Sequence, residues 1–221
     1  MRRRTGLVPA LDVDSGDTAI DIARAVADFA DAIKVGHPLV MSAGMGVIRR
    51  ISEFTPVIAD FKIADIPETN AKICGQAFGA GAGAVIVHGF TGRDSLTACI
   101  GVAREHGGEV FVVTEMSHPG AVEFMAPVAE RLPSLAVECC ADGIVAPATR
   151  PERLSLLRKK VGSMAIISPG VGAQGGSAGA AIRAGADFVI VGRSIYQSAA
   201  PGKVAEAIAS ELQSAYEEKS G

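Results

Sequence analysis

The segment Asp60-Phe-Lys-Ile-Ala-Asp65-Ile-Pro-Glu-Thr69 concentrates acids around a lysine. The apolar run Val57–Ala59 leads into Asp60, and Lys62 follows two positions later. On a strand, period two places both on the same side, roughly 6.6–6.8 Å apart along the chain. Asp65 comes just beyond the strand end. Two acids bracketing a lysine keep its ammonium charged and can orient it as a proton donor. A surface salt-bridge cluster is the plain alternative, but such groups entering a packed interior are costly unless paired and used. Asp12 ends an earlier apolar run and Lys34 interrupts another at Ile33-Lys-Val. Taken singly, each could be a rim ion pair. Taken together, Asp12, Lys34, Asp60, Lys62 and Asp65 alternate in sign at the ends of three consecutive runs, which chance explains poorly.

A second kind of chemistry lies further on. Ser168-Pro-Gly-Val-Gly-Ala-Gln-Gly-Gly176 is followed by Val191-Gly-Arg-Ser194. Glycines let a loop turn its backbone N–H groups around an anion, and Arg193 offers a bidentate charge. One glycine loop among 26 glycines is weak evidence. Two at successive strand ends predict a phosphate site. No GxGxxG follows a first strand and no GxxxxGK[ST] occurs, so dinucleotide and P-loop readings fail. Thr114-Glu-Met-Ser117-His-Pro-Gly adds Ser117 as a hydrogen-bonding group for a ligand edge. The four histidines, at 37, 88, 106 and 118, lack metal-ligand spacing, so no metal is expected. His88 reads as a packed, hydrogen-bonded residue rather than a base.

The positioning elements repeat. Apolar runs occur at Leu7–Val13, Ala32–Val35, Val57–Phe61, Ala84–His88, Val110–Thr114, Gly143–Val145, Met164–Ile167 and Phe188–Val191. Between them, segments such as Thr18–Phe29, Asn70–Gly79, Asp94–Glu105, Pro151–Lys160 and Gly202–Glu218 space apolar residues three and four apart. Apolar strands with little alternation, separated by helices, indicate a parallel sheet covered on both faces. Eight units in 221 residues average about 28 residues each and fit one α/β domain, a (β/α)8 TIM barrel spanning 1–221. A doubly wound open sheet is the alternative. In a barrel, the working face is at the C-terminal strand ends, and the phosphate site follows strands seven and eight. Residues 1–5 and 217–221 are expected to be flexible ends, and the elements within 130–145 are the hardest to place.

Composition narrows the partners. Lys plus Arg is 21 against 24 Asp plus Glu, a net charge of −3, and aromatics are 5% with no Trp. Neither a basic backbone-binding surface nor a stacking platform is supplied, so no nucleic acid is expected. No uninterrupted apolar stretch approaches a membrane span. The run Leu7–Leu11 after Arg2-Arg-Arg is too short and too broken by Pro9 to be a signal-peptide core. Four cysteines without a CxxC pair suit reduced thiols in the cytoplasm.

These segments together resemble the orotidine 5'-phosphate decarboxylase family, most closely its short archaeal-type members. The resemblance runs from Leu7-Val-Pro-Ala-Leu-Asp12 through Lys34-Val-Gly, Asp60 to Asn70, Val87-His-Gly and Thr114 to Gly120, then to Ser168 through Gln174 and Val191 to Tyr196. The Asp-x-Lys-x-x-Asp core is shared with hexulose-phosphate synthases and ketogulonate-phosphate decarboxylases. The Ile-Pro-Glu-Thr-Asn extension and the Gln-bearing loop point to the orotidine branch. The resemblance implies cofactor-free decarboxylation of orotidine 5'-phosphate to UMP, the last step of de novo pyrimidine synthesis. It implies Lys62 as proton donor to C6, Asp60 beside the departing carboxylate, and Lys34 and Asp65 completing the charged array. It implies a homodimer in which Asp65, Ile66 and Thr69 cross the interface. Asp12 and Lys34 are then ribose contacts, Ser117 the pyrimidine contact, and Gln174 and Arg193 phosphate ligands beside Pro169 and Gly192. Tyr196 supports the phosphate loop. A Mg2+-dependent sugar-phosphate lyase or synthase, with Asp12, Asp60 and Asp65 as metal ligands, and a barrel that binds a nucleotide without turnover are the competing readings.

Overall fold

A computed structural model describes residues 1–172 and 175–220. Its eight strands are β1 (Leu7–Pro9), β2 (Ile33–Gly36), β3 (Val57–Ile63), β4 (Ala84–His88), β5 (Glu109–Val113), β6 (Gly143–Val145), β7 (Ala165–Pro169) and β8 (Phe188–Val191). Helices α1 (Gly16–Val26), α2 (His37–Ala43), α3 (Gly46–Ser52), α4 (Pro67–Gly79) and α5 (Arg93–Glu105) cover the first half. The second half carries α6 (Ala121–Phe124), α7 (Leu132–Glu138), α8 (Pro151–Val161), α9 (Ala178–Ala184), α10 (Arg193–Tyr196) and α11 (Pro201–Ser220). All neighbouring strands pair in parallel, in the order β1-β8-β7-β6-β5-β4-β3-β2. The ring is completed between β1 and β2 by a single bridge, Ala10 to Lys34, with the Leu11 amide donating to the Lys34 carbonyl at 3.0 Å. This is the expected eight-stranded barrel.

Strand parity explains the core. Val8, Ala10, Ala32, Ile58, Ala84, Ile86, Phe111, Val113, Val145, Ile167, Phe188 and Ile190 form one buried cluster inside the barrel. The alternate residues, among them Leu7, Ile33, Val35, Val57, Ala59, Val85, Val110, Ile144 and Val189, pack outward with the helices. Both faces are apolar because both are covered, which is why the strands read as continuous apolar runs. Gly143 fits this layering sterically: a Cβ there would lie 2.5 Å from the Phe111 ring and 2.6 Å from the Ala165 carbonyl oxygen.

The element limits differ from expectation where single residues interfere. The first strand was expected to reach Val13 but ends at Pro9, beyond which pairing continues only as far as the Ala10 amide on the Val191 carbonyl at 2.8 Å and the Leu11 amide on that of Lys34. The third strand instead runs on to Ile63, with a register irregularity between Ala59 and Ile63. Within 130–145, Pro133 falls in the first turn of α7, where a missing N–H costs nothing. At the N-terminal ends of β1 and β2, buried Asp31 accepts the amides of Arg4, Thr5 and Gly6. At the other terminus, α11 continues through the positions expected as a tail, as far as Ser220.

Candidate active site

Continuing the inward parity of each strand to its C-terminal end replaces apolar side chains with polar ones. Val8 and Ala10 lead to Asp12; Ala32 leads to Lys34; Ile58 leads to Asp60 and Lys62; Ile86 leads to His88; Val113 leads to Glu115. A cavity of about 340 Å³ opens there, lined by Asp12, Lys34, Asp60, Lys62, Glu115 and Ser117 and by Pro169, Gly192 and Arg193. Ile86, Val113, Val145 and Ile190 also line it, adding an apolar portion to the wall.

The charged residues form a chain of contacts. Lys62 Nζ lies 2.9 Å from both carboxylate oxygens of Asp60. Lys34 Nζ reaches Asp60 at 3.1 Å and Asp12 at 3.3 Å. Burial opposes the charge on Asp60, but attraction and hydrogen bonding to Lys34 and Lys62 outweigh it and hold the carboxyl below its ordinary range. Burial likewise opposes the Lys34 ammonium, and Asp60 and Asp12 overcome it and raise its pKa. Both ions therefore persist through neutral pH. The side chain of Lys62 is more open, at 38% relative exposure against 9% for Lys34, as befits a group that must reach a ligand.

The Lys62 backbone is in the left-handed region, with φ at +43°. This conformation is unfavourable for a side chain bearing a Cβ and coincides with the register irregularity of β3. Regular period-two extension thus gives the correct side for Lys62 but not its backbone.

Among the described residues no carboxylate pairs with Arg193. Its guanidinium lines the cavity together with Gly170 and Val171, and Gly170, Gly172 and Gly175 have φ values of 101°, 74° and 88°. A free guanidinium beside a glycine-rich backbone can receive an anion. Tyr196 lines the same cavity and lies against Gly192, 3.5 Å from where its Cβ would be. Gln174, expected as a phosphate ligand, lies outside the described residues.

Asp65, Ile66 and Thr69 are not brought to this cavity by their own chain. Asp65 Oδ1 instead accepts the Ile66 amide at 2.7 Å, and Ile66 is 63% exposed. Among the described residues no group of three or more His, Cys, Asp or Glu side chains is placed to hold a metal ion. Asp12 and Asp60, two of the carboxylates considered as metal ligands, are already paired with lysines.

Two site features escaped the sequence reading. Glu115 is buried and lines the cavity, a position that the alternation Phe111, Val113, Glu115 would have revealed. His88 is packed as expected, against Phe90 with ring centroids 4.6 Å apart, but its buried Nδ1 has no hydrogen-bond partner. That corrects the expected hydrogen bond: the apolar packing at the end of β4 gives Nδ1 no donor or acceptor. Burial first, then the nearby Lys62 charge, lower the His88 pKa to about 4, with Asp60 partly opposing. The unfolded chain binds a proton near pH 6.5 that the folded chain refuses, so folding stability should decline as pH falls from 6.5 to 4. Urea midpoints measured across that interval should fall less steeply for His88→Phe than for the unsubstituted protein; parallel profiles would remove His88 from the acid response.

Comparison with known proteins places this geometry. Residues 5–208 match the family described as orotidine 5'-phosphate decarboxylase / HUMPS family. The chain is 54% identical over 220 residues to the orotidine 5'-phosphate decarboxylase of Methanosarcina barkeri, covering 99% of this chain and 100% of that one. It is 57% identical over 213 residues to the Methanococcoides burtonii enzyme of the same name, covering 96% and 99%. The crystal structure of orotidine 5'-monophosphate decarboxylase from Methanocaldococcus jannaschii complexed with the inhibitor BMP superimposes with a TM-score of 0.90 at 46% identity, covering 94% of this chain and 98% of that one. The Pyrococcus horikoshii OT3 orotidine 5'-phosphate decarboxylase gives a TM-score of 0.87 at 47% identity, covering 94% and 99%. With a lysine held between carboxylates and a guanidinium lining one cavity, this chain belongs to the orotidine 5'-phosphate decarboxylase / HUMPS family.

Proposed function

We propose that this chain is a carbon–carbon lyase that converts orotidine 5'-phosphate to UMP and CO2, completing UMP synthesis. The single observation that carries this reading is that the Asp12–Lys34–Asp60–Lys62 array and Arg193 line one cavity. Arg193 and the glycine loop hold the phosphate, Pro169 and Gly192 line the approach to it, and Asp12 with Lys34 binds the ribose hydroxyls. Ser117 contacts the pyrimidine. Asp60 faces the substrate carboxylate and disfavours the bound ground state, while Lys62 supports the charge that develops at C6. The C6–carboxyl bond breaks, CO2 leaves, and the electron pair left on C6 takes a proton from Lys62 Nζ. Solvent then reprotonates the lysine. The apolar cavity wall strengthens the electrostatic contribution by excluding water. Phosphate binding, remote from C6, supplies free energy that holds the reacting groups together.

The same reading makes the working unit a homodimer. Asp65, Ile66 and Thr69 reach the partner's cavity, completing the charged array there. Support comes from exposed Met41, Ile66 and Phe90, which follow β2, β3 and β4 at the same end of the barrel, and from Asp65 lying outside its own cavity. The reaction belongs in the cytoplasm, a compartment that suits four free cysteines. No nucleic acid, membrane, metal or cofactor takes part.

The test is CO2 release from orotidine 5'-phosphate in EDTA. Sustained turnover is expected. Turnover only of sugar phosphates, and only with Mg2+, would transfer the chain to the synthase branch; tight UMP binding without CO2 release would make it a binder.

A further inference from the structure

We propose that Glu115 is a positioning residue whose carboxylate fixes the segment carrying Ser117 over the pyrimidine. The inference rests on the proposed Ser117 contact. Glu115 lines the cavity, yet both its oxygens are already engaged. Oε1 accepts from Arg153 Nε at 2.9 Å and Nη2 at 2.5 Å, and Oε2 lies 3.4 Å from Arg150 Nη1. A carboxylate held this way has little capacity left for a ligand, so it acts through its neighbours.

Those neighbours explain why an anion is required. Arg150 is the N-cap of α8 and Arg153 stands in its first turn, two cations at the positive end of the helix dipole. Glu115, only 4% exposed, supplies the opposing charge. Arg150 also donates Nη2 to the Met116 carbonyl, adjacent to Ser117. Just before Glu115, the Thr114 amide and hydroxyl both bond the Val145 carbonyl, at 3.2 and 3.0 Å. Outward, Arg153 Nη1 continues to Glu130 at 2.8 Å and Glu130 to Lys160 at 3.3 Å. The strand end is thereby tied to β6 and α8 on both sides of Glu115, and Met116 and Ser117 are the cavity-lining residues that follow it, Ser117 supplying the hydroxyl. Without the Glu115 charge, Arg150 and Arg153 repel each other, the hold on Met116 weakens and Ser117 loses its fixed place.

Glu115→Gln preserves shape and removes the charge. It should weaken UMP binding and lower kcat/KM for orotidine 5'-phosphate by about tenfold, since small misplacements of a positioning group cost this much or more. Binding of ribose 5-phosphate, which has the phosphate and sugar but no base, should be unchanged. In a Ser117→Ala background the Glu115→Gln loss should disappear, because the residue through which it acts is gone. Arg153→Gln breaks the same clamp from its more open side and should reproduce the pattern if Glu115→Gln folds poorly. Parallel weakening of UMP and ribose 5-phosphate, or losses that multiply in the double variant, would overturn the inference. If Ser117→Ala alone changes neither UMP binding nor turnover, the Ser117 contact is wrong and this inference falls with it. If Ser117→Ala is impaired while Glu115→Gln matches the unsubstituted protein, only this inference fails.

Discussion

Lys62→Ala should lower turnover of orotidine 5'-phosphate by at least about 10⁴-fold while leaving UMP binding measurable. One substitution removes two contributions. General-acid groups are typically worth about 10²–10⁴-fold and a fixed charge at the reacting atom about 10²–10³-fold, so even partial overlap leaves a loss near 10⁴. That corresponds to about 5 kcal/mol of transition-state stabilisation. Lys62 is a cleaner target than Asp60. Without Lys62, Asp60 keeps Lys34 at 3.1 Å, and Lys34 keeps Asp12 at 3.3 Å, so each remaining charge has a partner. Removing Asp60 would instead strip the nearer partner from the buried Lys34 ammonium, and breaking such pairs costs about 3–5 kcal/mol. Lys62→Arg separates charge from proton delivery, since a guanidinium stays protonated at any working pH. It should remain severely impaired. Single-turnover CO2 release and UMP titration, side by side, check both variants; turnover like that of the unsubstituted enzyme with Lys62→Ala would end the proton-donor assignment.

Much of this site is legible in the sequence because a barrel turns one-dimensional spacing into one-sided geometry. Asp12, Lys34, Asp60 and Lys62 share the inward parity of their strands, so their alternation in sign along the chain becomes adjacency in space. The glycine loop and Gly192-Arg193 were legible for the same reason, since β7 and β8 are hydrogen-bonded neighbours. What spacing could not supply was local departure from regularity. The left-handed Lys62 and the irregular β3 register follow from neither composition nor period. The inward position of Glu115 follows from the parity of Phe111 and Val113, but its engagement by Arg150 and Arg153, more than thirty residues away, is visible only in the fold. His88 shows the opposite error: its position was read correctly, but its hydrogen bonding depends on neighbours that only the fold supplies. The helices in the second half were the least legible, because α6, α7, α9 and α10 are too short for an apolar period to declare itself.

Asp65→Asn should be as informative as Lys62→Ala because it tests the second chain. The segment is pinned in place: the Asp65 amide donates to Asn70 Oδ1 at 2.8 Å, its carbonyl accepts from Ser95 Oγ at 2.9 Å, and Oδ1 accepts the Ile66 amide at 2.7 Å. Asparagine retains an Oδ1 acceptor, so the turn should survive while the charge is lost. A missing charge at the reacting centre costs about 10²–10³-fold. Subunits bearing Lys62→Ala and subunits bearing Asp65→Asn should each be nearly inactive alone. If Asp65 works in its own subunit, mixing cannot help, because every cavity retains one defect. If it crosses the two-fold interface, a mixed dimer places the intact Lys62 of one subunit opposite the intact Asp65 of the other in one of its two cavities. Random exchange makes about half the dimers mixed, so about a quarter of all cavities become complete and about a quarter of full activity returns. Native mass spectrometry of tagged subunits establishes that exchange has occurred. Recovery to that level would fix both the dimer and the crossing of Asp65; no recovery after demonstrated exchange would confine Asp65 to its own chain.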